Sequence, residues 1–198
     1  MKKATFSGTK SILCKILLCL TVLLLAAGTA FAEGTSSESP AGIEISFTYQ
    51  RGTTIASNQL AVWVEDAEGA VVKTLLVTDF TAGRRGYRNR TMSLPVWVAA
   101  ADPESMTDAE IDTVSGATPG QGELVYVWDF TNQSGERVPD GIYTVHVEGT
   151  FYWESDVLYT AVIDTTNLGN EIPVEIERTA PDTHENENMI SDVTIKVI

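Results

Sequence analysis

The chain has 198 residues, two cysteines, two histidines and a formal net charge of −14. Both cysteines and four of the thirteen cationic residues fall within the first 32 positions. None of the 27 acidic residues does, so the remainder carries 9 cationic against 27 acidic groups, a charge of −18. Such a balance speaks against nucleic acid and anionic lipid as partners, and a remainder without cysteine excludes disulfides, thiolate nucleophiles and cysteine-held metals.

Lys2, Lys3, Lys10 and Lys15 precede and interrupt an apolar run over 12–27 that closes with Ala30-Phe31-Ala32, small residues at the positions a signal peptidase reads. This predicts a secretory signal over 1–32 and export to the periplasm or beyond, with cleavage after Ala32. A retained membrane anchor is the alternative, because the run is nearly long enough to span. Residues 33–42 read as a flexible leader and 43–198 as one domain, with an acidic, mobile segment near 179–188.

Within that domain the apolar period is two. Ile43, Ile45, Phe47 and Tyr49 alternate with polar residues, and Leu60, Val62 and Val64 repeat the pattern with Trp63 on the other face. Asp66-Ala67-Glu68-Gly69 is a turn into a strand over 71–78. Residues 83–90 are irregular and basic. Residues 94–101 are apolar, with Pro95 weakening a central-strand reading, and Thr107 with Glu110 can cap one helical turn. Further strands are expected over 123–130, 142–151, 157–164 and 192–198, with 171–177 less regular. Many short strands and almost no helix predict an all-β fold, a sandwich or barrel.

Two stretches resemble known exported proteins. Trp128-Asp129, Gly135, Val138-Pro139 and Gly141-Ile142-Tyr143 are similar to the Ig-like domain of flagellar hook-capping proteins, which implies an Ig-like β-sandwich. Over roughly 43–164 the chain resembles the exported bacterial family of domain of unknown function 2271. The resemblance rests on Ala61-Val62-Trp63-Val64-Glu65-Asp66, Val72-Lys73-Thr74-Leu75, Leu94-Pro95-Val96-Trp97, residues 112–119, Trp128-Asp129 and Val147-Glu148-Gly149-Thr150.

Asp112-Thr113-Val114-Ser115-Gly116-Ala117-Thr118 resembles a further pattern, the acceptor sequence of FAD-dependent flavin transferases: Asp, two variable residues, Ser or Thr, Gly, Ala, Thr. That resemblance implies FMN joined through its phosphate to Thr118, with Asp112, Ser115, Gly116 and Ala117 as the recognised residues, although Pro119 departs from the usual polar residue after the threonine. A phosphoester needs an exposed hydroxyl with little bulk around it, which Gly116, Ala117 and Gly120 would allow. Arg84 and Arg85 could face the phosphate, and Trp97 and Tyr87, which flank irregular segments, could stack on the flavin ring. A plain loop and a solvated arginine cluster are the bland readings of the same residues. His146 and His184 have no Ser or Cys in a nucleophile setting beside them and are too isolated for a transition-metal site; Asp182, His184, Glu185 and Glu187 could bind a cation weakly, but read better as a solvated acidic tail. The expectation is an exported electron carrier served by a flavin transferase and a membrane redox protein. The alternative is a binding or structural module of the cell envelope with no cofactor.

Overall fold

A computed structural model describes residues 40–51, 58–83, 86–152, 155–169, 171–179 and 189–198. The expected secretory signal over 1–32, Arg84, Arg85, Trp153 and the stretch 180–188 lie outside the described residues.

In β1 (Ile43–Tyr49) Ile43, Ile45, Phe47 and Tyr49 are buried while Glu44, Ser46 and Thr48 are half-buried, as a sheet with one covered face requires. This strand is the centre of a three-stranded antiparallel sheet, between β5 (Gly122–Trp128) and β9 (Ile190–Val197). The other sheet has six strands. Their order is β4 (Ser115–Gly116), β3 (Val71–Thr78), β2 (Gln59–Asp66), β6 (Ile142–Tyr152), β7 (Ser155–Asp164) and β8 (Glu175–Thr179). Among the described residues only β3 and β4 pair in parallel.

The sheets enclose a core to which β1, β2, β6 and β7 each contribute alternate residues. The all-β sandwich expected from the period of two is the fold observed. Trp128 and Tyr143 pack with ring centroids 4.9 Å apart. Trp128 donates its indole N–H to Thr131 O at 3.0 Å and Tyr143 its hydroxyl to Pro139 O at 2.6 Å, so each ring buries its face while its polar end stays bonded.

The first departure is helix. β2 is covered on both faces: Leu60, Val62 and Val64 face the inter-sheet core, and Ala61 and Trp63 face outward into a second apolar cluster. Between β3 and β4 the described residues form four short helices, α1 (Asp79–Ala82), α2 (Gly86–Asn89), α3 (Pro95–Ala101) and α4 (Asp108–Val114), of which α1, α3 and α4 place residues in that cluster. Almost no helix was expected here, because pieces of four to seven residues are too short to display a helical period. Pro95 is no obstacle at the first helical position, where its missing N–H is not needed. The capping box of Thr107 and Glu110 forms as expected, but it launches seven residues rather than one turn.

The last residues of the expected leader over 33–42 are among those described. Ala41 and Gly42 both donate backbone N–H groups to Ile198 O, at 2.6 and 3.2 Å, which ties them to the end of β9. Residues 40–198 form one compact unit. Among the described residues no helix is long and apolar enough to cross a membrane.

Candidate functional site

The acceptor-like stretch is built in three pieces rather than as one loop. Asp112, Thr113 and Val114 end α4, whose Ile111 and Val114 are anchored in the second core beside Trp97 and Ala101. Ser115 and Gly116 then pair with Val77 and Thr78, adding β4 to the edge of the larger sheet. Ala117 and Thr118 follow, both exposed, as are Asp112 and Gly120; Ser115 and Gly116 are half-buried. A rigid helix and a strand pairing thus deliver Thr118 to solvent.

The two glycines of this stretch are not demanded by packing. A Cβ on Gly116 would sit 3.6 Å from Leu76 Cδ1, an ordinary contact, and one on Gly120 would meet nothing within 4 Å. By contrast, a Cβ on Gly149 would come within 2.6 Å of Phe151 Cζ, and one on Gly86 within 1.4 Å of Phe80 O. Gly149 and Gly86 are explained by close approach; Gly116 and Gly120 are not.

The other expected site residues are distributed differently. Trp97 is fully buried in the second core and donates its indole N–H to Thr74 Oγ1 at 3.2 Å, so it presents no face to a ring outside that core. Tyr87 is 9% exposed on α2, with the Arg88 guanidinium 5.7 Å from its ring centre. Arg88 pairs with Glu104 at 2.7 Å on the surface. Arg84 and Arg85 lie outside the described residues, so only Asp112, Ser115, Gly116, Ala117 and Thr118 are brought together.

A second constellation went unnoticed in the sequence. On the outer face of β6 the alternate residues Thr144, His146, Glu148 and Thr150 are polar, although the strand is largely covered. Fully buried Glu148 accepts the backbone N–H groups of Val96 at 2.9 Å and Trp97 at 2.8 Å, capping α3 from another strand. Thr150 accepts the N–H of Leu94 at 2.9 Å and donates to Asp156 Oδ1 at 2.9 Å. Leu94 is a left-handed residue, at φ 49°, and these partners hold it there. Burial pushes the Glu148 carboxyl up to about 8, with the Asp156 charge adding to the rise and the two N–H donors opposing it. Asp156 is raised to about 6, first by burial, against the Thr150 hydrogen bond and with Glu177 adding to the rise.

One row along, Trp63 stacks on His146 at 4.6 Å and donates to Glu65 Oε1 at 2.7 Å. Glu65 Oε2 lies 3.3 Å from His146 Nε2 without hydrogen-bond alignment. Burial pushes the imidazole down while Glu65 pulls the other way. Among the described residues no group of three or more His, Cys, Asp and Glu side chains could hold a metal ion. The signal for this face was in the sequence, as four polar residues at a spacing of two within an apolar strand.

A cavity of about 350 Å³, largely apolar, lies between the start of β3 and α4, lined among others by Val71, Thr74, Met106, Thr113 and Val114. β4 runs parallel to β3 with Ser115 opposite Val77, so the chain leaves this cavity behind as it proceeds to Thr118.

No curated protein and no solved structure matches the chain. A family model does, over residues 42–178, and its members are described as predicted periplasmic proteins. The match takes in the strand β2, the helical layer, the Thr118 loop and the polar face of β6, and it agrees with a periplasmic location. The chain belongs to this family, domain of unknown function 2271.

Proposed function

We propose that the protein is a periplasmic electron carrier bearing FMN on Thr118. The observation that carries the reading is the pairing of an exposed Thr118 with two neighbouring glycines that packing does not require. A flavin transferase must close around its acceptor, and small residues on both sides of the hydroxyl let it do so. In the transfer, Thr118 Oγ attacks the phosphorus of FAD on the riboflavin side, and the bond from that phosphorus to the bridging oxygen breaks. AMP leaves with that oxygen, and the hydroxyl proton passes to the transferase's base. The chain gains FMN less water, and no oxidant is needed. Bound FMN supplies reversible uptake of one or two electrons. The role of this chain is to hold the tether on a fixed edge, through the α4 anchor and the β3–β4 pairing. There a membrane redox protein can reach it.

The test is co-expression with an exported flavin transferase, followed by in-gel fluorescence of denatured protein. The reading expects a fluorescent band that disappears in Thr118→Ala and persists in Thr118→Ser. Wild-type protein that stays dark contradicts it.

A binding module without cofactor is the second reading, and one feature favours it. β5 is an edge strand of the smaller sheet with Val125 51% and Val127 44% exposed, a surface onto which a partner's strand could add.

A further inference from the structure

The end of the sandwich at which Thr118 emerges carries two exposed side chains suited to a flavin phosphodiester. The parallel pairing sets Gly116 beside Thr78, and each chain then continues in the same direction, one to Thr118 and the other into α1 at Asp79 and Phe80. Phe80 is 46% exposed, a large aromatic face left in solvent. Its backbone is fixed, because α2 packs so tightly against it that a Cβ on Gly86 would sit on its carbonyl oxygen. Cα atoms of α1 also lie within 8 Å of those of β4.

The same end holds a cation. Arg51 is exposed, and its backbone N–H binds Gln121 Oε1 at 3.2 Å, three residues beyond Thr118. Tyr49, two residues before Arg51, pairs with Gly122 where the loop enters β5. A phosphodiester on Thr118 adds a negative charge to a chain already at −18 after the signal, so a nearby guanidinium has something to offset. The carboxylate facing this end from α1 is Asp79, and Glu123 follows on β5.

We infer that Phe80 and Arg51 form the seat of the tethered flavin, Phe80 against the isoalloxazine ring and Arg51 against the phosphodiester. This rests on the proposed attachment at Thr118 and adds where the ring goes. It differs from the sequence expectation, which put Trp97 and Tyr87 against the ring; those two are buried while Phe80 is not. An exposed phenyl beside a mobile ring immobilises it at little conformational cost.

The experiment uses full-length protein flavinylated by the transferase. Five forms are compared: wild type, Phe80→Ala, Phe80→Trp, Arg51→Gln, and Val162→Trp as a control on an exposed residue of β7. Every form should carry equal flavin by mass. Visible-region circular dichroism of the flavin should fall at least twofold in Phe80→Ala, and iodide quenching should rise towards that of free FMN. Phe80→Trp should dim flavin emission several-fold, since an indole in contact quenches it, while Val162→Trp should leave it unchanged. Arg51→Gln should weaken the dichroism, and high salt should do the same to wild type while leaving Arg51→Gln unaffected. Attached flavin whose dichroism, quenching and emission ignore both Phe80 substitutions overturns the seat alone. Wild-type protein that accepts no flavin overturns the attachment and the seat together.

Discussion

Glu148 accepts the backbone N–H of Trp97 at 2.8 Å, so a strand side chain caps a helix that begins 53 residues earlier in the chain, at Pro95. With Thr150 holding Leu94, this contact fastens the helical layer to the outer face of the six-stranded sheet. Glu148→Ala should cost about 3 kcal/mol, because it leaves buried N–H groups unpaired and a void behind them. Glu148→Gln, which keeps an acceptor oxygen, should cost about 1 kcal/mol. Urea unfolding followed by tryptophan emission measures both, and equal losses in the two variants would argue against the capping role.

The same carboxyl makes stability depend on pH. Its folded pKa, about 8, lies above the ordinary glutamate value of 4.5, so the folded state holds the proton more tightly than the unfolded one. Its contribution is therefore fully present below about pH 4.5 and is lost as pH rises through about 8. Asp156, raised to about 6, acts in the same direction over the lower part of that window. Unfolding free energy should decline between these limits by up to about 1.4 kcal/mol per pH unit for each proton involved. The decline should be shallower in Glu148→Gln. A profile that rises with pH across this window, or is unchanged by the substitution, would count against the assignment.

Gly116 separates a structural from a recognition role. Since a Cβ there meets only Leu76 Cδ1 at 3.6 Å, Gly116→Ala should leave stability unchanged or raise it by up to about 1 kcal/mol. Flavin attachment should nonetheless drop at least several-fold, because the added methyl crowds the acceptor. The check is thermal unfolding beside in-gel fluorescence. A fully flavinylated Gly116→Ala protein would remove the reason for glycine at this position.

Trp97→Phe should cost about 1–2 kcal/mol by removing the bond to Thr74 and part of a filled core, and should leave flavin attachment unchanged. Loss of attachment in a protein of near-native stability would restore Trp97 to the site.

Much of the sandwich was legible because strands with one covered face write a period of two, as in β1 and β7. The helical layer was not, because α1 to α4 are too short for a period and Leu94 starts α3 from a left-handed conformation that no residue type announces. Exposure of Thr118 followed from the small-residue composition of its loop. What composition could not convey was the parallel pairing of Ser115 with Val77, which alone decides which end of the sheet Thr118 faces. Trp97 and Tyr87 were drawn to the site by their place in the chain. The burial of Trp97 depends on β2 and β6, which are distant in sequence.

A phosphoester on Thr118 is read directly by intact mass. Protein co-expressed with an exported flavin transferase should gain the mass of FMN less water, and peptide mapping should place it within 112–122. Thr118→Ala should show only the unmodified mass. An unmodified wild-type mass with the transferase active on a control substrate, or a modification that persists in Thr118→Ala, would contradict the account.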